Sequence, residues 1–153
     1  MNIGLDESTR MQMAEALKKL LGTSYTLYVK TQNFHWNVEG KLFMALHKAF
    51  EEQYEALIEH NDSIAERIRM LGFRAPGSMK EFLATSEVKE TQDVPGEDKM
   101  LEILLADDET FIRQLRSVIE LAAEKGDEAT NDVLIPILSS FEKRCWMWRS
   151  YFA

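Results

Sequence analysis

A single cysteine, Cys145, leaves this 153-residue chain without any intramolecular disulfide. Its helical spacing from Phe141, Trp148 and Phe152 assigns it to core packing. Long apolar runs are missing as well. The longest strong one, residues 133–138, falls far short of the ~20 residues a membrane-spanning helix needs. At the start of the chain Asp6 and Glu7 stand where a secretory signal would carry a basic segment and then an apolar one, so the protein is expected to be cytoplasmic. Strand signals are nearly absent, as are repeats and low-complexity segments. Basic charge is scarce, with 18 Lys and Arg against 26 Asp and Glu. The resulting net charge of −8 disfavours attraction to phosphate backbones and favours cations as ligands or substrates.

What remains is an ordinary globular composition, 45% apolar and 29% charged, suited to one domain over residues 1–153. Four long stretches keep apolar residues at three- and four-residue intervals, which predicts an all-α four-helix bundle. The first starts at an Asp6 or Ser8 cap, carries Ala14, Leu17, Leu21, Tyr28 and His35 on one face, and ends near Trp36. After a break at Gly40, the second runs to Leu71 with Gly72 just past its end. Its stripe is Phe43, Leu46, Phe50, Tyr54, Leu57, Ile64 and Ile68. Ser78 and Glu81 form a capping box ahead of a short helix reaching Thr85. The third long helix carries Leu101, Leu104, Phe111, Leu115, Val118 and Ala122 up to Gly126, with Asp108 interrupting its stripe. The fourth starts at Asp127 and packs Leu134, Ile137, Phe141, Cys145, Trp148 and Phe152, and Pro136 inside it predicts a kink or local break. The long connection between the second and third long helices suits a bundle with one crossover.

The second helix carries a hidden symmetry. His47 and Glu51 stand one turn apart, and Asp62 and Glu66 repeat that spacing. All four fall, with Ile58, within an arc of about 100° beside the apolar stripe. Within one helix the two clusters are about 22 Å apart, too far to share a metal ion. If two copies cross antiparallel about a dyad between Ala56 and Leu57, position 47 faces position 66 and position 51 faces position 62. An isologous contact would then complete the site at a subunit boundary.

Imidazole with carboxylate suits iron, zinc or manganese, and carboxylates favour the harder, oxidised state of iron. The Glu-x-x-His pattern of bundle di-iron proteins is absent. Gln32, Met44 and Leu57 stand three residues before His35, His47 and His60, so a metal site inside one bundle is not expected. His60 lies opposite Glu51 and reads as a surface residue.

His35-Trp36-Asn37, Gly40, Phe43, His47, Glu51, Asp62 and Ala65-Glu66-Arg67 together resemble the signature of Dps-type miniferritins. The resemblance covers essentially the whole chain, including the short crossover helix and the aromatic end Trp146-Met147-Trp148-Arg149-Ser150. It implies a ferritin-like fold, a shell of twelve identical subunits, and a ferroxidase site at the two-fold interface. That site would take His35, His47 and Glu51 from one subunit and Asp62 and Glu66 from its partner, with Fe(II) oxidised preferentially by hydrogen peroxide and stored as ferric mineral. Glu51 stands where many relatives have Asp. By the same resemblance Trp36 lies near the irons, where its ring could intercept a stray radical, plain packing being the alternative, and Asp127, Glu128 and Asp132 either border an acidic pore through which iron enters or cap the amides of the last helix and complement its dipole. Glu52, Glu55 and Glu59 are candidates for nucleating mineral, or a solvated helix face.

Two other function classes compete. Many Dps proteins compact DNA through lysine-rich tails, but such tails are missing here, which makes DNA binding doubtful. Lys18-Lys19 and Lys143-Arg144 are the local basic patches left to a nucleoid-binding alternative. A bundle holding zinc structurally is the third reading.

Overall fold

Asp6 starts the first helix by accepting a hydrogen bond from the Thr9 amide at 2.7 Å, which satisfies one of the free N–H groups of the first turn. The computed structural model describes all residues 1–153 and contains helices as its only regular elements. They are α1 (Glu7–Asn37), α2 (Phe43–Met70), α3 (Met79–Thr85), α4 (Glu97–Lys125) and α5 (Glu128–Tyr151). The expected boundaries hold to within a residue or two. Past α4, Gly126 takes φ +69°, a left-handed conformation that lets the Asp127 amide reach back to Ala122 O at 2.8 Å. Asp127 then caps α5 through the Thr130 amide.

Short connections make α1 and α2 antiparallel neighbours, and likewise α4 and α5. The crossover returns the chain to the opposite end, where the Leu42 amide donates to Glu97 Oε2 at 3.3 Å. The starts of α2 and α4 therefore lie side by side. α3 lies against α1, where Gly22 is required by close approach: a Cβ there would sit 2.2 Å from Thr85 Oγ1 and 2.6 Å from Phe82 O.

The apolar stripes meet in a larger core cluster around Leu17, Leu57, Phe111 and Phe141, and a smaller one around Phe34, Phe50, Leu101 and Trp148. Phe111 and Phe141 are fully buried with ring centroids 4.7 Å apart. Truncating either to alanine would cost about 3–5 kcal/mol by lost transfer energy and the cavity left behind. Phe43 and Phe152, expected in the stripes, are 39% and 45% exposed because they sit at helix ends beyond the cover of the other helices. Pro136 does not end α5, which runs unbroken through it. The carbonyl of Asp132 loses its usual i+4 donor there, but Asp132 and Pro136 are both exposed, so water can replace the missing bond.

Asp108, which the stripe did not explain, is fully buried and bound to Arg144 Nε at 2.9 Å and Trp148 Nε1 at 3.2 Å. His60 is not a surface residue. It is half-buried against α5, its ring 6.2 Å from that of Phe141 and its Nε2 enclosed without a partner. Burial, then the Arg144 charge, pushes its pKa down to about 4. Helical-wheel angles place residue 60 opposite residue 51, but α2 is contacted on both of those sides.

Candidate metal centre

His35 occupies the last turn of α1 and His47 the second turn of α2. Residues 38–42 are just long enough to fold the two helix ends together, helped by the packing of Phe34 on Phe50. The two imidazoles stack with centroids 3.9 Å apart and planes inclined by 22°. Nδ1 of His35 donates to the main-chain oxygen of His47 at 2.7 Å, and Nδ1 of His47 donates to that of His35 at 2.9 Å. A carbonyl only accepts, so both Nδ1 atoms carry a proton, and in the neutral ring the lone pair is then on Nε2. A metal-ligating histidine needs this arrangement, with one nitrogen anchored so that the other is aimed and basic. His35 is 6% exposed and His47 half-buried. Tyr54 packs edge-on to His35 at 5.2 Å, and Phe43 lies 5.1 Å from His47.

Glu51, one turn beyond His47, is half-buried. Burial first, then the charges of Glu51 and Glu55, raises the Tyr54 hydroxyl above its ordinary pKa. Asp62 and Glu66 lie further along α2, exposed, with neither an ion pair nor a hydrogen bond. Ile58 between the clusters is 46% exposed. One chain thus brings His35 and His47 together but leaves Asp62 and Glu66 on an uncovered stretch of the same helix. No three His, Cys, Asp or Glu side chains of a single chain converge closely enough to hold a metal ion.

The other acidic positions separate clearly. Asp127 is 2% exposed and fully engaged, taking Arg67 Nη2 at 2.6 Å, Thr130 Oγ1 at 2.5 Å and the Thr130 amide at 3.2 Å. It anchors α5 to α2 and is not free to line a pore. Glu128 and Asp132 are exposed, as are Glu52, Glu55 and Glu59. Trp36 is 66% exposed at the end of α1, on the rim of a shallow depression shared with Val38, Phe43 and Val94.

Sequence reasoning missed what fills the middle of the bundle. Where facing helices of other bundles hold metals, this chain places the Asp108–Arg144 pair with the Trp148 indole. The signal was present as one acid and one base each interrupting an apolar stripe, on helices expected to be neighbours.

A four-helix bundle with one long crossover is the ferritin-like architecture, and the ferritin-like domain family matches residues 14–153. Within that class the chain belongs to the Dps-type miniferritins. It is 36% identical over 140 residues to the DNA protection during starvation protein 2 of Bacillus anthracis, covering 92% of this chain and 96% of that one. It is 40% identical over 152 residues to an uncharacterized low temperature-induced protein of Nostoc sp., covering 98% of this chain and 85% of that one. Among solved structures, the Dps protein of Vibrio cholerae O1, described as a member of the ferritin-like diiron-carboxylate superfamily, superimposes with a TM-score of 0.96 at 33% identity, covering 100% of this chain and 96% of that one. No helix is long and apolar enough to cross a membrane.

Proposed function

We propose that this protein is a ferroxidase and iron store whose reaction sites form between two chains. His35, His47 and Glu51 of one subunit face Asp62 and Glu66 of the next, and Fe(II) is the substrate they bind. The single observation that carries the reading is the anchored histidine pair, whose neutral rings have their lone pairs on Nε2 while Asp62 and Glu66, at dyad-related positions of the same helix, have no partner within their own chain. Nitrogen donors hold Fe(II), and carboxylates favour the ferric product, so the mixed set draws the ion through oxidation. Hydrogen peroxide is the preferred oxidant, and a shell of twelve subunits stores the mineral and protects the cell from oxidative stress. The stress-protection names of the relatives and the diiron-carboxylate description of the Vibrio cholerae protein support this reading.

Stopped-flow oxidation of Fe(II) with peroxide against oxygen, together with light-scattering mass of the assembly, tests it. Faster ferric formation with peroxide by a twelve-subunit particle is expected. A monomer that fails to oxidise iron overturns the proposal. The relative named for DNA protection keeps a nucleoid-binding reading in play. Gel shifts across a salt series separate the two, and the net charge of −8 predicts no binding at physiological salt.

A further inference from the structure

Three helices begin with a side-chain cap of their own, from Asp6, Ser78 and Asp127, and two do not. The two without are α2, whose N-cap is Leu42, and α4, whose N-cap is Gly96. These are also the two whose starts lie side by side. Each start presents unpaired amides and the positive end of a helix dipole, so two like-signed ends adjoin. The first turn of α2 contains no acidic residue to offset this.

Glu97 fills the gap from the neighbouring helix. It is the first residue of α4, half-buried, and its Oε2 accepts the Leu42 amide at 3.3 Å. One carboxylate thus stands against the positive ends of both helices. Gly40 leaves it room. With φ at +138°, a Cβ on residue 40 would lie 2.1 Å from Glu97 Oε2 and 2.5 Å from its Cδ, and would push the carboxylate aside. This is the one hydrogen bond between residues 38–42 and either α4 or α5. The other bonds of the loop are local, such as the Val38 amide to Phe34 O at 2.9 Å and the Phe43 amide to Gly40 O at 3.3 Å.

The loop that Glu97 holds is the one that joins the two histidines. His47 lies in the second turn of the helix that Glu97 caps, and its main-chain oxygen is the acceptor for His35 Nδ1 at 2.7 Å. Phe43, next to the capped amide, packs 5.1 Å from the His47 ring. A shift or fraying of the first turn of α2 therefore moves the acceptor of His35 and the ring of His47 together.

We propose that Glu97 is a positioning residue for the metal centre, capping α2 from α4 and so fixing the junction at which His35 and His47 anchor one another. The role rests on the iron reading above. Glu97 acts through the main chain and binds no iron itself.

The test compares assembled native protein with Glu97→Ala, Glu97→Gln and Asp98→Asn. Asp98 is the adjacent acid, exposed and bonded to the Tyr151 hydroxyl at 2.9 Å, so its variant removes the same charge without touching residues 38–42. In metal-free Glu97→Ala, nitrogen-15 NMR should show His35 divided between its two neutral tautomers. Half-maximal oxidation should need roughly tenfold more Fe(II), comparable to the loss of an outer partner of a metal ligand, with the rate at saturating Fe(II) little changed. Glu97→Gln keeps an oxygen for the Leu42 amide and should restore the Nδ1–H tautomer and most of the Fe(II) affinity. Asp98→Asn should match the native protein in both measurements. Gly40→Ala displaces the carboxylate without removing it and should reproduce the Glu97→Ala loss, and combining the two should add little, because they break the same contact. This pair keeps the test decisive if Glu97→Ala alone fails to assemble. Native tautomers and native Fe(II) affinity in assembled Glu97→Ala or Gly40→Ala, or an equal loss in Asp98→Asn, overturn the positioning role and leave the iron reading standing. Native protein that neither binds nor oxidises Fe(II) overturns the iron reading, and with it the role assigned to Glu97 at a metal centre, whatever the tautomers show.

Discussion

His35 and His47 hold one another through main-chain atoms, each Nδ1 bound to the other residue's carbonyl oxygen at 2.7 and 2.9 Å. The acceptors are backbone groups, so removing one ring leaves the acceptor of the other in place. In metal-free protein, nitrogen-15 NMR should report Nδ1–H imidazole for both residues, and His47→Ala should leave His35 in that tautomer. Affinity for Fe(II) in the same variant should fall at least as far as the roughly 10–100-fold usual when a metal ligand merely loses its outer partner. An Nε2–H tautomer at His35 in the unaltered protein would contradict the geometry.

A site divided between two chains has a signature that no single-chain site reproduces. A variant lacking His35 and His47, and another lacking Asp62 and Glu66, should each be unable to oxidise iron. Unfolded together and reassembled, mixed dimers keep one complete site of two, so randomly mixed shells should regain about a quarter of the native rate, from half the dimers being mixed and half of each mixed dimer's sites intact. Native gels confirm assembly, and a mixture as inactive as its components removes the shared arrangement.

Much of this molecule was legible because its local chemistry is consistent. Asp6, Ser78 with Glu81, Gly72 and Gly126 marked helix ends where the structure has them, and the core stripes followed the helical period. What was hidden depended on distant partners. Asp108 looked like an error in a stripe because Arg144, which neutralises it, stands on α5. His60 was misassigned because a wheel of α2 alone does not show Phe141 approaching from α5. For Asp127 the sequence leaves a capping and a pore role both open, and Arg67 standing against it from α2 decides for the cap. For the metal centre, the spacing on α2 was visible, whereas the mutual anchoring of the two histidines depends on how residues 38–42 fold back.

The Asp108–Arg144 pair makes a prediction that distinguishes breaking a buried ion pair from replacing it. Arg144 is 9% exposed and Asp108 fully buried, so Asp108→Asn leaves a guanidinium in the interior with no countercharge. Chemical denaturation should show a loss of about 3–5 kcal/mol. Replacing both together, Asp108→Leu with Arg144→Met, should recover most of that loss because no charge is then left unpaired. A double variant as unstable as the single one would mean that the other donors to Asp108, the Trp148 indole at 3.2 Å and Gln53 Nε2 at 3.4 Å, dominate.

Cys145 should be chemically silent in the folded protein. It is 1% exposed, and burial, reinforced by the negative charge of Asp108, pushes its thiol up to about 12. The thiolate is the reactive form, so at pH 8 almost none is present. Iodoacetamide should leave the native protein unlabelled over hours and modify one site per chain promptly in denaturant. Rapid native labelling would show that α4 and α5 open far more often than their packing implies.

The crossover helix should respond to acid in a narrow and late range. Glu81 takes both guanidinium nitrogens of Arg74, at 2.6 and 3.2 Å, together with Ser78 Oγ at 2.9 Å and the Gly77 amide at 3.1 Å. Its side chain reaches the amide before the cap residue, one position earlier than in the usual capping box, and so ties the turn at residues 75–77 to α3. These bonds, the Arg74 contact foremost, hold the carboxyl pKa at about 2, below the usual carboxylate value near 4.5. A carboxylate bound more tightly when ionised stabilises the fold fully above its unfolded pKa and loses that contribution as pH falls through the folded value. Amide exchange in α3 should therefore stay slow, once the intrinsic pH dependence of exchange is removed, until pH drops below about 4.5, and then quicken toward pH 2. Glu81→Gln should show the faster exchange already at pH 7, with little change in α1 or α4. Because Phe82 of this helix stacks on Tyr25, the same variant should also quicken ring motion at Tyr25, which aromatic NMR line shapes would register. Exchange in α3 that is indifferent to both pH and Glu81→Gln would mean that the apolar contact of Phe82 alone keeps the helix in place.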